Sequence, residues 1–326
     1  MRENFEPNWP TDKSGPTEGA WIRVPAPPPV PKSGTIWHYT NTTGLIGILQ
    51  SDRLWATAVS MLNDFTELRY GLDMADSTYQ EFTQGHALHD QQHRFLAEVA
   101  SAAKSALRTN AIYAACASQD GDDLGQWRGY AEGSGYAIGL KAVPLSGVCG
   151  VDQEPAEWQH RDLHTGWQQV LYDPEGQAKL LVELWEFAAA ITPGPDHQPD
   201  DPEWQVMRDT ATSAVTNAVA LMKHPGFRGE REVRFAFDAT RHRRRNLHKF
   251  RTGPHGVAPY AELGVMPERS PTYLVTTHSP DRLKVSEVRM GPAQDHQAAE
   301  LGLKTLLGPL GRVHTASVSH SAVPYR

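Results

Sequence analysis

A chain of 326 residues is long enough to bury a sizeable core in one large domain or two ordinary ones. Hydrophobic residues make up 39% and charged residues 21%, which argues against a disordered chain, and no apolar run approaches the roughly 20 residues of a spanning helix. With two cysteines, Cys116 and Cys149, outside any CxxC pair and a net charge of -7, the sequence disfavours a disulfide framework, a thiolate zinc site and global attraction to nucleic acid, leaving room only for a local basic patch.

Residues 1–34 are expected to form a Pro-rich arm, with prolines at 7, 10, 16, 25, 27, 28, 29 and 31. The N-terminus lacks a basic stretch followed by an apolar one, so the expected location is the cytoplasm, away from the membrane. Residues 35–326 read as a single α+β domain. Thr35 to Thr40 has the β-propensity of a first strand, and Asn41 or Thr42 can cap a helix over Gly44 to Gln50 whose Leu45, Ile48 and Leu49 share a face. A strand is predicted at Leu54 to Thr57. Asn63-Asp64 then leads into a helical stretch reaching about Leu107, broken near Gly85. Ala111 to Ala117 has the apolar run of a buried strand, and Gly135 to Leu140 that of another, after a turn at Asp120 to Asp123. Helices are predicted over Gln177 to Ile191 and, with Asp201-Pro202 as cap and first residue, over Glu203 to Lys223. Glu232 to Phe237 alternates polar and apolar residues as a half-buried strand does, and two more strands are expected near Tyr273–Thr276 and Val285–Met290.

Four segments occur in an order that resembles a known family. Trp37-His38-Tyr39-Thr40, Leu62-Asn63-Asp64-Phe65-Thr66-Glu67, Gln126-Trp127-Arg128-Gly129-Tyr130-Ala131 and Gly229-Glu230-Arg231-Glu232-Val233-Arg234 look like the motifs of the bacterial domain-of-unknown-function family twenty-nine seventy-one. Arg289-Met290-Gly291-Pro292 and Val323-Pro324-Tyr325-Arg326 resemble its closing segments, so the resemblance spans about 35–326. The sequence departs from the family at Phe65, where proline is usual, and at Gly133–Gly135, where a histidine is common.

The same order of an early His-x-Thr strand, a central aromatic and a late strand-borne Glu also resembles the H-Y-E-type ADP-ribosyl transferases. That resemblance implies an ADP-ribosyltransferase-like split β-sheet core with peripheral helices, NAD as the substrate, and a bacterial toxin or phage-defence role. Cleavage of the nicotinamide–ribose bond passes through an oxocarbenium-like state that a carboxylate stabilises. The implied catalytic pair is Glu232, with Glu230 orienting the acceptor or the ribose. His38 and Thr40 would bind the ribose, and Tyr39, Trp127 or Tyr130 would stack on nicotinamide. Each residue also has an architectural reading: His38 as a core histidine with a bonded ring, Trp127 and Tyr130 as core aromatics, and Glu230 to Arg234 as a salt-bridged strand face. Asn63, Asp64 and Glu67 suit a helix cap.

His86, His89 and His93 would share one face of a helix, but their polar setting reads as a solvated surface rather than a metal site. Gly133, Gly135 and Gly139 miss the dinucleotide-binding spacing. Arg241, Arg243, Arg244, Arg245, Lys249 and Arg251 form a basic run that suits an exposed loop or a phosphate-binding one. The reading is an ADP-ribosyl transferase or NAD glycohydrolase whose acceptor is a protein or a nucleic acid. The alternatives are a non-catalytic nucleotide- or partner-binding module and, further off, a nuclease.

Overall fold

The computed structural model describes residues 24–62, 65–109, 111–131, 134–148, 166–238, 249–253, 256–265, 275–276, 282–308 and 315–324. In chain order the elements are β1 (Thr35–Thr40), α1 (Thr42–Ser51), β2 (Leu54–Ala58), a 3-10 turn at Val59–Met61, α2 (Phe65–Gly85), α3 (Asp90–Arg108), β3 (Ile112–Ser118), α4 (Leu124–Tyr130) and β4 (Tyr136–Lys141). There follow β5 (Leu145–Val148), β6 (Gln168–Gln169), α5 (Pro174–Ala190), α6 (Pro202–Val219), a 3-10 turn at Pro225–Glu230, β7 (Glu232–Asp238), β8 (Lys249–Gly253) and β9 (Gly256–Val265). The chain closes with β10 (Val275–Thr276), β11 (Val285–Met290), α7 (His296–Leu307) and β12 (Ser317–His320). This is the expected α+β arrangement, with the described strands joined in one open sheet.

The sheet is organised around β3, an apolar strand that suits burial on both faces. One edge of β3 pairs with β7 along its whole length, from Ile112↔Asp238 to Ser118↔Glu232. The other edge is shared: β2 takes Tyr113 and Ala114, β1 meets it only at Ser118, and Ala115 to Ala117 have no strand partner there among the described pairs. β1 and β2 therefore diverge, leaving a fork in the sheet. On one face Ile112, Ala114 and Ala236 pack under α2, α3, α5 and α6, with Trp185 and Trp204 fully buried between helices. The other face curls on itself, so that Ile36, Leu54, Tyr113, Val233, Phe235 and Leu263 from different strands meet one another, helped by α1 and α7.

Most elements lie where periodicity places them, and the differences have local causes. β7 was expected to be half-buried, but every residue of it is buried, because Glu232 and Arg234 pair with each other and Asp238 accepts from Ser213 on α6. α5 begins at Pro174, three residues before the predicted start, because Asp173 accepts from the Gly176 amide and proline suits the first turn. α6 ends at Val219 instead of Lys223, since Leu171 pairs with the chain beyond it: the Leu171 amide donates to Leu221 O and the Lys223 amide to Leu171 O. The turn at Asp120 to Asp123 leads into a helix that was not expected, α4, capped by Asp123 accepting from the Gln126 amide. Gly121 fits that turn because a Cβ there would sit 2.3 Å from the Trp37 ring.

The last residues of the Pro-rich segment are stitched to the fold. Val30 N donates to Trp167 O and Gln169 N to Pro28 O, while Gln168 donates its side chain to Pro27 O. Residues 1–23 lie outside the described residues. Each such bond contributes about 1 kcal/mol net. A chain beginning at Ser33 should therefore melt about 4–8 °C below one beginning at Val24; equal melting temperatures would show that this pairing adds nothing to stability.

Candidate functional site

The charged residues at the start of β7 are held by a backbone kink. Arg231 adopts the left-handed conformation, φ 47, at the end of the 3-10 turn, at a cost of about 1–2 kcal/mol for a non-glycine residue. Three bonds hold it there: Ser118 Oγ donates to Glu230 O, Gln119 N to Arg231 O, and Arg231 N to Arg228 O. The kink lets Glu230 and Glu232 both reach one ammonium. Lys223 Nζ lies 2.5 Å from a Glu230 oxygen and 3.1 Å from a Glu232 oxygen.

Arg234, two residues along the same strand face, grips Glu232 through both oxygens at 2.8 and 2.9 Å, and its third nitrogen donates to Ala220 O at the C-terminus of α6. A cation is favoured at that negative end of a helix dipole. Tyr172 accepts from the Glu232 amide. Burial opposes the charge on Glu232, yet Arg234 and Lys223, with hydrogen bonds from Arg234 and Cys116, hold its pKa down at about 2. Tyr172 is pushed up to about 12 by burial, opposed by the bond from the Glu232 amide and reinforced by its charge.

The two glutamates differ in access. The Lys223 side chain is only 2% exposed and Glu232 is buried with it, whereas Glu230 keeps 24% of its side chain at the surface. Tyr130, at the end of α4, stands beside this cluster with 43% of the residue exposed. Its hydroxyl is held protonated by burial and by the charges of Glu232 and Glu230. Phe227 supplies a second ring, 5.0 Å from Lys223 Nζ to its centroid.

Tyr39 and Trp127 occupy the neighbouring wall of the same sheet face. Their rings meet edge-on at 4.8 Å, Tyr39 donates to Asp120 O, and Trp127 Nε1 donates to Asp122. Asp122 in turn takes Ser321 Oγ and the Ala322 amide, and Asp120 pairs with Arg231 at 3.4 Å. Both rings are buried with their polar ends bonded, which gives them an architectural part in holding the Asp120–Asp123 turn against the kink.

His38 is placed differently. Alternation sends Trp37 and Tyr39 to the Glu232 face and His38 and Thr40 to the other. The His38 ring nevertheless reaches the fork, where Nδ1 lies 2.9 Å from Cys116 O. A carbonyl only accepts, so Nδ1 carries the proton and Nε2 presents a lone pair. Burial lowers the His38 pKa, against the help of that carbonyl, and Arg251 lowers it further, so the ring is neutral at pH 7. Cys116 links the two groups: its carbonyl takes His38 and its thiol, raised in pKa mainly by burial, donates to Glu232. Thr40 lies apart, against Gly44 in the first turn of α1, where an added Cβ would fall 2.0 Å from its hydroxyl oxygen.

The structure thus gathers Glu230, Glu232, Tyr130, Tyr39 and Trp127 along one face, joins His38 through Cys116, and leaves Thr40 out. Lys223, Arg234, Tyr172 and Cys116 were missed as members. The signal for Lys223 was a lysine amid apolar residues at a helix end. That for Arg234 was its i,i+2 spacing from Glu232, which puts both on one strand face. His89 caps α3 through its ring and His86 lies in the break before it, so the three spaced histidines do not share a helix face. Among the described residues no group of three or more His, Cys, Asp or Glu is placed to hold a metal, and no helix is long and apolar enough to cross a membrane. Asn63, Asp64 and Arg241 to Arg245 lie outside the described residues.

Residues 126–235, about a third of the chain, match the family described as Protein of unknown function (DUF2971). That span carries α4 with Trp127 and Tyr130, then Lys223, Glu230, Glu232 and Arg234, and it supports the family resemblance read from the motifs. No curated protein and no solved structure matches.

The ion cluster makes two linked predictions. Glu232→Gln leaves Lys223 and Arg234 short of charge in a buried site and should cost about 3–5 kcal/mol. Because folding depresses the Glu232 pKa from 4.5 to about 2, its contribution is complete above pH 4.5 and is lost as pH falls towards 2. Denaturant midpoints measured across that range should therefore converge for wild type and Glu232→Gln. Parallel curves with a constant gap would contradict the assignment.

Proposed function

We propose that the protein is an NAD-consuming enzyme, an ADP-ribosyl transferase or NAD glycohydrolase of bacterial toxin or defence type, built on an ADP-ribosyltransferase-like split sheet. The observation that carries this reading is the fork between β1 and β2, with His38 bonded into it at Cys116 and the Glu230–Tyr130 cluster at the adjoining end of β3. A dinucleotide lying across the fork would meet a lone pair at His38 Nε2, suited to accept from a ribose hydroxyl. Arg251, within electrostatic reach of His38, is suited to the phosphates. Tyr130 offers an exposed ring for the nicotinamide.

The environments of the two carboxylates divide the work between them. Both Glu232 oxygens are committed to cations, so Glu232 serves to position Lys223 and, through it, Glu230. Glu230 is the carboxylate with surface access, and in this reading it faces the anomeric carbon. As the glycosidic bond breaks, its electron pair leaves with the nicotinamide nitrogen and positive charge develops on the ribose, where a carboxylate stabilises it. Water or an acceptor then completes the transfer.

The test is nicotinamide release from NAD, followed chromatographically. Glu230→Gln should reduce turnover about 100- to 1000-fold with little change in NAD binding, because the lost interaction is made mainly in the transition state. Wild-type protein that binds NAD without releasing nicotinamide would favour a non-catalytic nucleotide-binding module, and protein that neither binds nor turns over NAD would reject the reading.

A further inference from the structure

A second surface stands out on the far side of the fork. β2 pairs with β9 through Trp55↔Glu262 and Thr57↔Tyr260, and β9 pairs with β8 through Tyr260↔Lys249 and Ala258↔Arg251. Paired residues share a face, so Trp55, Thr57, Tyr260, Lys249 and Arg251 project together. Trp55 is 41% exposed, and its ring leans on the buried Tyr260 ring at 4.6 Å, which holds it as a rigid platform. The Arg251 guanidinium lies 5.9 Å from the Trp55 ring centroid and donates to Thr57 Oγ1, while Lys249 pairs with Glu262.

The charge of this region opposes that of the whole. Between residues 239 and 265 the sequence holds six Lys and Arg against one carboxylate, Glu262, in a chain of net charge -7. Four of the six, Arg241, Arg243, Arg244 and Arg245, lie outside the described residues. Apart from Arg251, nothing in the proposed NAD chemistry calls for these cations or for an exposed indole.

We propose that this face binds single-stranded nucleic acid. A flat exposed indole beside an arginine offers a stacking surface that any base can use, and Arg251 and Lys249 on the same face are placed to meet the phosphates. A duplex hides its base faces, so the indole selects a single strand. An anionic membrane would use the cations too, but the apolar residues it needs, Phe250 and Val257, project from the opposite face of the β8–β9 hairpin, each 69% exposed. The two partners are therefore separable by mutation. The face borders the fork through Arg251, so a bound strand would lie beside the proposed NAD site, but binding stands or falls without any turnover.

The experiment is fluorescence anisotropy with a labelled oligo(dT) or oligo(U) of about 12 nucleotides at about 50 mM salt. Wild type should bind, with affinity falling as salt rises. Trp55→Ala should weaken binding by about 5- to 150-fold, Trp55→Phe should retain most of it, and Phe250→Ser should leave it unchanged. Arg251→Gln should reduce both affinity and the salt slope. Circular dichroism on each variant confirms the fold, and the Phe variant keeps the test alive if Trp55→Ala does not fold. The proposal is overturned if wild type fails to bind, if a folded Trp55→Ala binds as well as wild type, or if duplex competes as well as single strand. Binding to phosphatidylserine vesicles without oligonucleotide binding, abolished by Phe250→Ser, would assign the surface to membranes instead.

Discussion

The interaction on which the rest of this structure depends is the buried ion network of Lys223, Glu230, Glu232 and Arg234. A carboxylate as deeply buried as Glu232 would be untenable alone; two cations and hydrogen bonds from Arg234 and Cys116 make it more acidic than in water. Every element that meets there is shaped by it. α6 stops early so that Leu171 can pair with the chain that delivers Lys223, Arg234 closes the end of α6 at Ala220, and the left-handed Arg231 turns Glu230 back towards the same ammonium. The network specifies a geometry as much as it stabilises one, since the register that pairs Arg234 with Cys116 is the one that sets the Cys116 thiol against Glu232.

Its asymmetry is what gives the site chemical interest. Glu232 is saturated, Glu230 is attached to the same lysine but open to the surface, and Tyr130 stands within electrostatic reach of both. Across β3, His38 donates Nδ1–H to the Cys116 carbonyl that the diverging β1 and β2 leave to it, which sets its tautomer and leaves the lone pair on Nε2. In the proposed reading one strand, β3, sets the distance between a ribose-binding histidine and the carboxylate that meets the anomeric carbon.

Much of this was legible in the sequence, and the failures are instructive. β-propensity located β1, a shared apolar face located α1 and a short apolar run located β3, because such local signals need no tertiary context. A meeting of His38 and Glu232 with an aromatic ring was the expectation visible in motifs far apart in the chain; Tyr130 lies beside Glu232, whereas His38 leaves the opposite sheet face. The role split between the glutamates was not visible, since it follows from Lys223, whose approach depends on a helix ending where propensity alone would have continued it. The burial of β7 was misread for a related reason: alternating Glu and Arg look solvated until a lysine and a helix end arrive to pair with them. Nor could alternation on β1 alone show that His38 and Glu232 leave opposite faces, since that needs the register of Trp37 against Ser118. Tyr39 and Trp127 proved to be bonded core aromatics, the architectural one of the two roles the sequence left open.

The central claim, that the fork and the Glu230–Tyr130 cluster form one NAD site, is tested most directly by a crystal structure grown with NAD. The account predicts the nicotinamide ring against Tyr130, the anomeric carbon facing Glu230, and His38 Nε2 at about 2.6–3.2 Å from a ribose hydroxyl. NAD bound elsewhere, with the fork closed over by its own side chains, would contradict it.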